Sequence, residues 1–118
     1  MKHKTAELTG PLLRRAVAMA LGYKVEKEPH GTALRVWLDG NIAAPIDGTY
    51  CWAPDEEWEW GGPIIERERI TIYPGAPDTG NWFAHIDPRA RHWPGTTPLI
   101  AAMRAFVASK LGEEVELP

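Results

Sequence analysis

The chain predicts an α+β fold, a small antiparallel sheet of about four strands with the N-terminal and C-terminal helices packed on one face. Three observations lead there. Apolar residues recur at helical spacing near both ends, at Leu13, Ala16, Val17, Ala20 and Leu21 and again at Leu99, Met103, Phe106, Val107 and Leu111. Between them lie short segments in which apolar and polar residues alternate, clearest at Leu34, Val36 and Leu38 and at Ile70 and Ile72. Such alternation belongs to half-buried antiparallel strands, because parallel strands covered on both faces read as unbroken apolar runs. The third is length: 118 residues make one domain, 1–118, with enough chain to bury a core without metal or disulfide staples.

The composition narrows the classes further. A formal net charge of -3 gives no general attraction to nucleic acid or to an anionic membrane. The single cysteine, Cys51, excludes an internal disulfide and fits a reducing compartment. Met1, Lys2, His3 and Lys4 begin like an export signal, but Glu7, Pro11, Arg14 and Arg15 interrupt the apolar run such a signal requires. The run at 16–21 is far too short to cross a bilayer, so a soluble, cytoplasmic chain with no membrane partner is expected. Six tryptophans are the unusual component.

The first helix spans residues 9–21. Thr9 stands as its cap, Gly10 and Pro11 occupy the first turn, and Gly22 follows the last turn as a left-handed cap. Arg14 and Arg15 fall off the apolar stripe and read as a solvated face. Two strands follow, at 23–27 and 33–38, joined by the turn Glu28-Pro29-His30-Gly31 with His30 exposed in it. From 39 to 62 the pattern lapses into successive turn signals at Asp39-Gly40, Ala44-Pro45, Asp47-Gly48 and Ala53-Pro54. Within 62–66, Gly62 as cap, Pro63 at the first helical position and Glu66 in the first turn predict a short helical turn aiming Ile64 and Ile65 at the core. A strand at 69–73 and its partner at 81–86 form the second hairpin, with Trp82, Ala84 and Ile86 on one face and Phe83 and His85 on the other. Residues 87–95 are irregular, basic and aromatic, the one local candidate for a phosphate or nucleic-acid contact, but two arginines with one tryptophan in a loop more often read as surface and packing. Thr97 caps the closing helix, Pro98 opens it, Lys110 sits at its negative end and Gly112 stops it. Met103 and Phe106 are core, whereas truncating Arg104 is expected to cost little. Val115 and Leu117 mark an edge strand in the acidic tail.

No catalytic set emerges. Cys51 with His85 or His92 and Asp47, Asp55 or Asp87 supplies the residue types of a thiol nucleophile, without any local signature around the cysteine. His85 and Asp87 with Glu66 or Glu68 match no zinc spacing, and Gly61-Gly62-Pro63 lies in no phosphate-binding pattern, so neither metal nor cofactor is expected. What remains is binding. The stretch from 50 to 60 interleaves Tyr50, Trp52, Trp58 and Trp60 with Asp55, Glu56, Glu57 and Glu59, and indole faces attract cations and dominate interface hot spots. The competing reading folds these tryptophans back onto a small core. The predicted binding residues are Trp52, Trp58, Trp60, Trp82 and His85, in a non-enzymatic binding protein that uses a tryptophan-bearing loop. The alternative is a small-molecule binder or enzyme with a pocket near His85. The acidic loop disfavours nucleic acid.

Two stretches resemble a known family. Trp60-Gly61-Gly62-Pro63-Ile64-Ile65-Glu66 followed by Ile70-Thr71-Ile72, and Thr97-Pro98-Leu99-Ile100-Ala101-Ala102-Met103-Arg104, are similar to the NinX-like proteins of tailed phages and prophages. The opening helix and Leu21-Gly22 fit the same pattern. The resemblance implies an accessory protein acting in the cytoplasm of an infected or lysogenic bacterium. It brings no catalytic residue with it. For the binding reading the expected partner is a host or phage protein, or a second copy of the chain.

Overall fold

The computed structural model describes residues 1–117 apart from Thr32, Asp39, Asn41 and Thr49. The Asp39-Gly40 turn signal and the tail end at Pro118 therefore fall wholly or partly outside the described residues. In order the elements are β1 (Lys2–Lys4), a 3-10 turn (Thr5–Glu7), α1 (Gly10–Leu21), β2 (Val25–Lys27), β3 (Leu34–Trp37), β4 (Ala43–Pro45), α2 (Trp58–Glu68), β5 (Thr71–Pro74), β6 (Trp82–His85), β7 (Trp93–Gly95), α3 (Pro98–Leu111) and β8 (Glu114–Glu116). The fold is α+β.

The strands do not share one sheet. Among the described residues they form three antiparallel sheets: a β1–β8 pair and two three-stranded meanders, β2–β3–β4 and β5–β6–β7. Both predicted hairpins are present, with Val25 opposite Val36 and Ile72 opposite Ala84. Each then takes a short third strand of its own, and α2 intervenes between the two meanders. Alternation fixes which residues face inward on a strand but not which hairpins share an edge. Nor do the two terminal helices lie together on one sheet. α3 rests on β5–β6–β7, whereas α1 packs mainly on α3 and touches β2.

α3 is the axis of the molecule. From Leu99 to Val107 every residue but Ile100 is buried, with Met103, Phe106 and Val107 fully enclosed. A helix apolar on all sides must be surrounded, and α1, α2, the 3-10 turn and the β5–β6–β7 sheet surround it. Its start follows the predicted chemistry: Thr97 Oγ1 accepts the Ile100 amide at 3.1 Å and Pro98 stands at the first helical position. Gly95 lets β7 press against that first turn, since a Cβ there would lie 2.4 Å from the Ala101 nitrogen. Arg104, expected to be dispensable, is buried instead. Its Nε donates to the Leu8 carbonyl at 3.0 Å and an Nη to the Pro94 carbonyl at 2.9 Å, tying the N-terminal segment and β7 to α3. Desolvation pushes its pKa below the usual arginine value.

Two other boundaries carry physical lessons. α1 ends as expected, with Gly22 in the left-handed region and its amide on Met19, but Thr9 occupies the N-cap position without a side-chain bond. α2 begins at Trp58, four residues before the expected cap, so Pro63 lies inside the helix. Proline there removes one helical hydrogen bond. Close packing offsets the loss: a Cβ on Gly61 would sit 2.4 Å from the Pro54 carbonyl oxygen and 2.6 Å from Leu99 Cδ2, so only glycine brings α2 this near α3. The tail strand exists as β8, with Val115 and Leu117 buried, and it pairs with β1 through Lys2 opposite Glu116 and Lys4 opposite Glu114.

Candidate functional site

The irregular segment between β4 and α2 is held from beneath by one side chain. Arg14 of α1 is 4% exposed. Its Nε donates to Asp55 Oδ1 at 2.7 Å, one Nη to the Ile46 carbonyl at 2.8 Å and toward Cys51 Sγ at 3.5 Å, and the other Nη lies 3.2 Å from Glu56 Oε1. This corrects the solvated-face expectation. Arg14 is one residue from Leu13 on a helix whose Ala16, Val17 and Ala18 are all buried, so the covered face is wider than the apolar stripe. Burial works against its charge, but the hydrogen bond and charge of Asp55, with Cys51 and Glu56 nearby, outweigh it and hold the Arg14 pKa above the ordinary value. The Trp52 amide on the Pro45 carbonyl at 2.7 Å adds a second tie. A buried ion pair that also satisfies a backbone carbonyl ties Ile46, Cys51, Asp55 and Glu56 of this segment to α1.

Fixing the segment sorts its aromatic residues by height. Trp52 is 2% exposed and packs beside Tyr23, their ring centroids 6.1 Å apart and tilted by 56°. Trp60, facing inward from α2 with Gly61 and Ile64, is half-buried. Trp58, at the first position of α2, is 57% exposed, and Tyr50 is 95% exposed with a left-handed φ of 59°. Two clefts meet at Trp60 and Glu59. One, of about 250 Å³, is walled by Tyr23, Leu38, Trp52, Trp60, Glu59 and Arg67. The other, of about 460 Å³, is lined by Tyr50, Cys51, Glu56, Glu57, Glu59 and Trp60. Glu56 reaches back to Arg14, whereas the carboxylates of Glu57 and Glu59 enter no hydrogen bond or ion pair among the described residues. The surface thus combines rigid aromatic area with unneutralised negative charge.

Trp82 and His85 lie elsewhere. Trp82 packs from β6 onto the core beside the β7 strand, opposite Gly95. His85 is on the other face of β6, as its alternation with Trp82 and Ala84 predicts, and neither residue lines the clefts at Trp60. His85 belongs to a ring cluster in which its imidazole stands 4.4 Å from that of His92, and His92 Nδ1 is bonded to the Tyr73 hydroxyl. The Nδ1 of His85 is buried with no partner among the described residues. The structure therefore brings Trp52 and Trp60 together at one cleft, leaves Trp58 exposed at the start of α2 and outside the lining of either cleft, and sets Trp82 and His85 apart.

Sequence reasoning missed Tyr23 as a wall of the cleft and Arg14 as its support. Tyr23 directly follows the glycine cap of α1, and a residue there returns toward the helix it has left, as the Tyr23 amide does to Ala18 at 2.9 Å. Cys51 is engaged by Arg14, and Asp55 is committed to the same guanidinium. In the 87–95 segment Arg91 lies 4.1 Å over the ring of buried Trp93 and pairs with Glu113 at 3.5 Å. Among the described residues no group of three or more His, Cys, Asp or Glu converges to hold a metal ion, and no helix is long and apolar enough to cross a membrane.

A family model described as Bacteriophage P22, NinX matches residues 4–110, which include all of α1, both meanders and α2, and α3 as far as Lys110. No curated protein matches the chain.

Proposed function

The chain belongs to the Bacteriophage P22 NinX family, and from that premise we propose that this phage protein is a non-enzymatic binding protein that engages a host or phage protein in the host cytoplasm through the Tyr50 to Trp60 surface. One observation carries the reading: Trp58 is 57% exposed on a helix that Gly61 and Ile64 lock onto the core, beside two carboxylates with no internal partner. A large exposed ring on a rigid element loses little freedom on binding and is a typical interface anchor. Glu57 and Glu59 favour a basic or mixed partner surface and disfavour phosphate. Of the predicted set, Trp58 and Trp60 make direct contact and Trp52 supports Trp60 from below.

The test is recovery of the partner from the bacterial host, followed by titration. Trp58→Ala weakens the complex by about 2 kcal/mol or more while the domain stays folded, and Glu57→Gln mainly reduces association rate and its salt dependence. Unchanged affinity in folded Trp58→Ala removes the proposal. A second reading, a small-molecule-binding protein or enzyme with a pocket near His85, has the unpartnered His85 Nδ1 in its favour. Histidine-selective NMR checks it: a ligand moves the His85 ring signals, and their constancy across a metabolite panel counts against it.

A further inference from the structure

The cleft of about 250 Å³ between the end of α1 and the middle of α2 has a composition that the exposed surface beside it does not share. Three aromatic side chains, Tyr23, Trp52 and Trp60, wall it together with Leu38, and one carboxylate, Glu59, stands at its mouth. We infer that this cleft receives a basic side chain, lysine or arginine, projected by the protein partner. The inference rests on the binding reading above and names the chemistry of the anchor.

The geometry argues for a cation on an apolar stem. The rings of Tyr23 and Trp52 are tilted by 56° at a centroid distance of 6.1 Å, so they line the cleft without forming a flat stack. Trp60 closes the opposite side from α2. Ring faces carry the negative end of the aromatic quadrupole, and several of them around one desolvated site attract a cation more strongly than a single exposed ring does. Trp52 forms a floor that is 2% exposed, and the half-buried Tyr23, Leu38 and Trp60 supply the apolar wall from which an entering stem displaces water. Glu59 is exposed at the rim and has no ion pair of its own, which leaves its charge available to the head group.

The chain's own cations do not fill this role. Among the described residues lining the cleft the one cation is Arg67, and its Nε lies 3.1 Å from Glu68 Oε2. Glu68 also takes Lys110 at 3.4 Å, and these two cations lower its pKa, Arg67 first. Arg67 is thereby held to the outer wall by Glu68, while a basic ligand finds Glu59 without an ion pair.

The experiment titrates the full chain, labelled for observation of its tryptophan indole N–H signals, with N-acetyl-lysine methylamide and N-acetyl-arginine methylamide. N-acetyl-norleucine methylamide serves as the uncharged comparison. The expected result is saturable movement of the Trp60 and Trp52 signals by the basic probes, with norleucine at least about tenfold weaker. Glu59→Gln, at an exposed position, reduces that preference to less than about threefold, and Trp60→Ala abolishes the shifts. Equal binding of norleucine, or no saturable shift with either basic probe, overturns the inference. The recovered partner separates the two claims. A partner that binds Glu59→Gln as tightly as the parent but loses Trp58→Ala removes the cleft as its anchor and leaves the Trp58 surface standing. Probe binding with an unaffected Trp58→Ala complex removes the broader surface and leaves the cleft.

Discussion

The two meanders of this protein are secured by different means. β5–β6–β7 lies on α3, and the contact between them is apolar area: Ala84, Trp93, Met103, Phe106 and Val107 are buried, and Gly95 brings backbone against backbone. β2–β3–β4 is covered less fully. Of its strand residues only Val36 is buried, and the segment that follows β4 is irregular. There the constraint is Arg14, which gathers Ile46, Cys51, Asp55 and Glu56 around one guanidinium. Each region contains one buried arginine, and the comparison turns on their partners. Arg104 donates to two backbone carbonyls and meets no carboxylate among the described residues, so it fills gaps between elements already packed by area. Arg14 has a buried carboxylate as counter-charge and acts as a crosslink where area is lacking. The same side chain is mortar in one region and a bolt in the other.

The comparison breaks most severely at Phe106. Phe106→Ala opens a cavity under α3 and lowers unfolding free energy by about 3–5 kcal/mol, read from urea denaturation. A loss below about 1 kcal/mol would mean that area is not what holds the β5–β6–β7 region. Removing the bolt comes next. Asp55→Ala removes the buried counter-charge of Arg14, leaving it the exposed Glu56, and costs about 3 kcal/mol, with hydrogen exchange rising first in residues 46–57 while β5–β6–β7 stays protected. The paired replacement Arg14→Met with Asp55→Leu recovers much of that loss, because apolar residues of similar volume replace a buried pair without an orphaned charge. If the double variant is no better than Asp55→Ala alone, the pair is not the crosslink described.

Arg104→Met sharpens the comparison from the other side. Methionine keeps most of the apolar stem and leaves two carbonyls without their donor, for a cost of about 1–3 kcal/mol and no local opening at 46–57. The smallest effect is an acid one in β2–β3. Arg35, then Trp37 and Lys24, donate to Glu26 and lower its pKa from 4.5 to about 2. A carboxylate depressed in the folded state stabilises above its unfolded value and loses that contribution as pH falls, so the window runs from about 4.5 down to about 2. Denaturant midpoints across that range decline more steeply in the parent than in Glu26→Gln; parallel curves would show that this surface group contributes nothing.

How far the sequence was legible follows the same division. The apolar periodicities and the Gly22, Thr97, Pro98 and Gly112 signals placed α1 and α3 closely, and alternation placed both hairpins, because those elements are specified by local pattern. β4, β7 and β1 were not legible, since three residues such as Ala43–Pro45 contain no period and become strands only when a neighbour offers an edge. α2 was half-legible. Gly61-Gly62-Pro63 reads as punctuation until Pro54 and Leu99 are seen pressed against Gly61. The clearest missed signal was Arg104, the one charge between Leu99 and Ala108 in a stretch otherwise apolar on every side, where no solvated face was left for it to occupy. For the candidate site, the aromatic and acidic content was visible at once. Which of Trp52, Trp58 and Trp60 faces outward depends on Asp55 finding Arg14 across 41 positions of chain, and no local pattern reports that.

The joining of the N-terminal segment to the far end of the chain sets an order of events in time. Thr5 Oγ1 donates to the Gly112 carbonyl across 107 positions, and Arg104 reaches Leu8 across 96. At about 5–20 residues per second, a ribosome makes Leu8 on the order of ten seconds before the residues that cover it. During that interval β1 has no neighbour and Leu8 has no core, so the first segment synthesised is the last to settle.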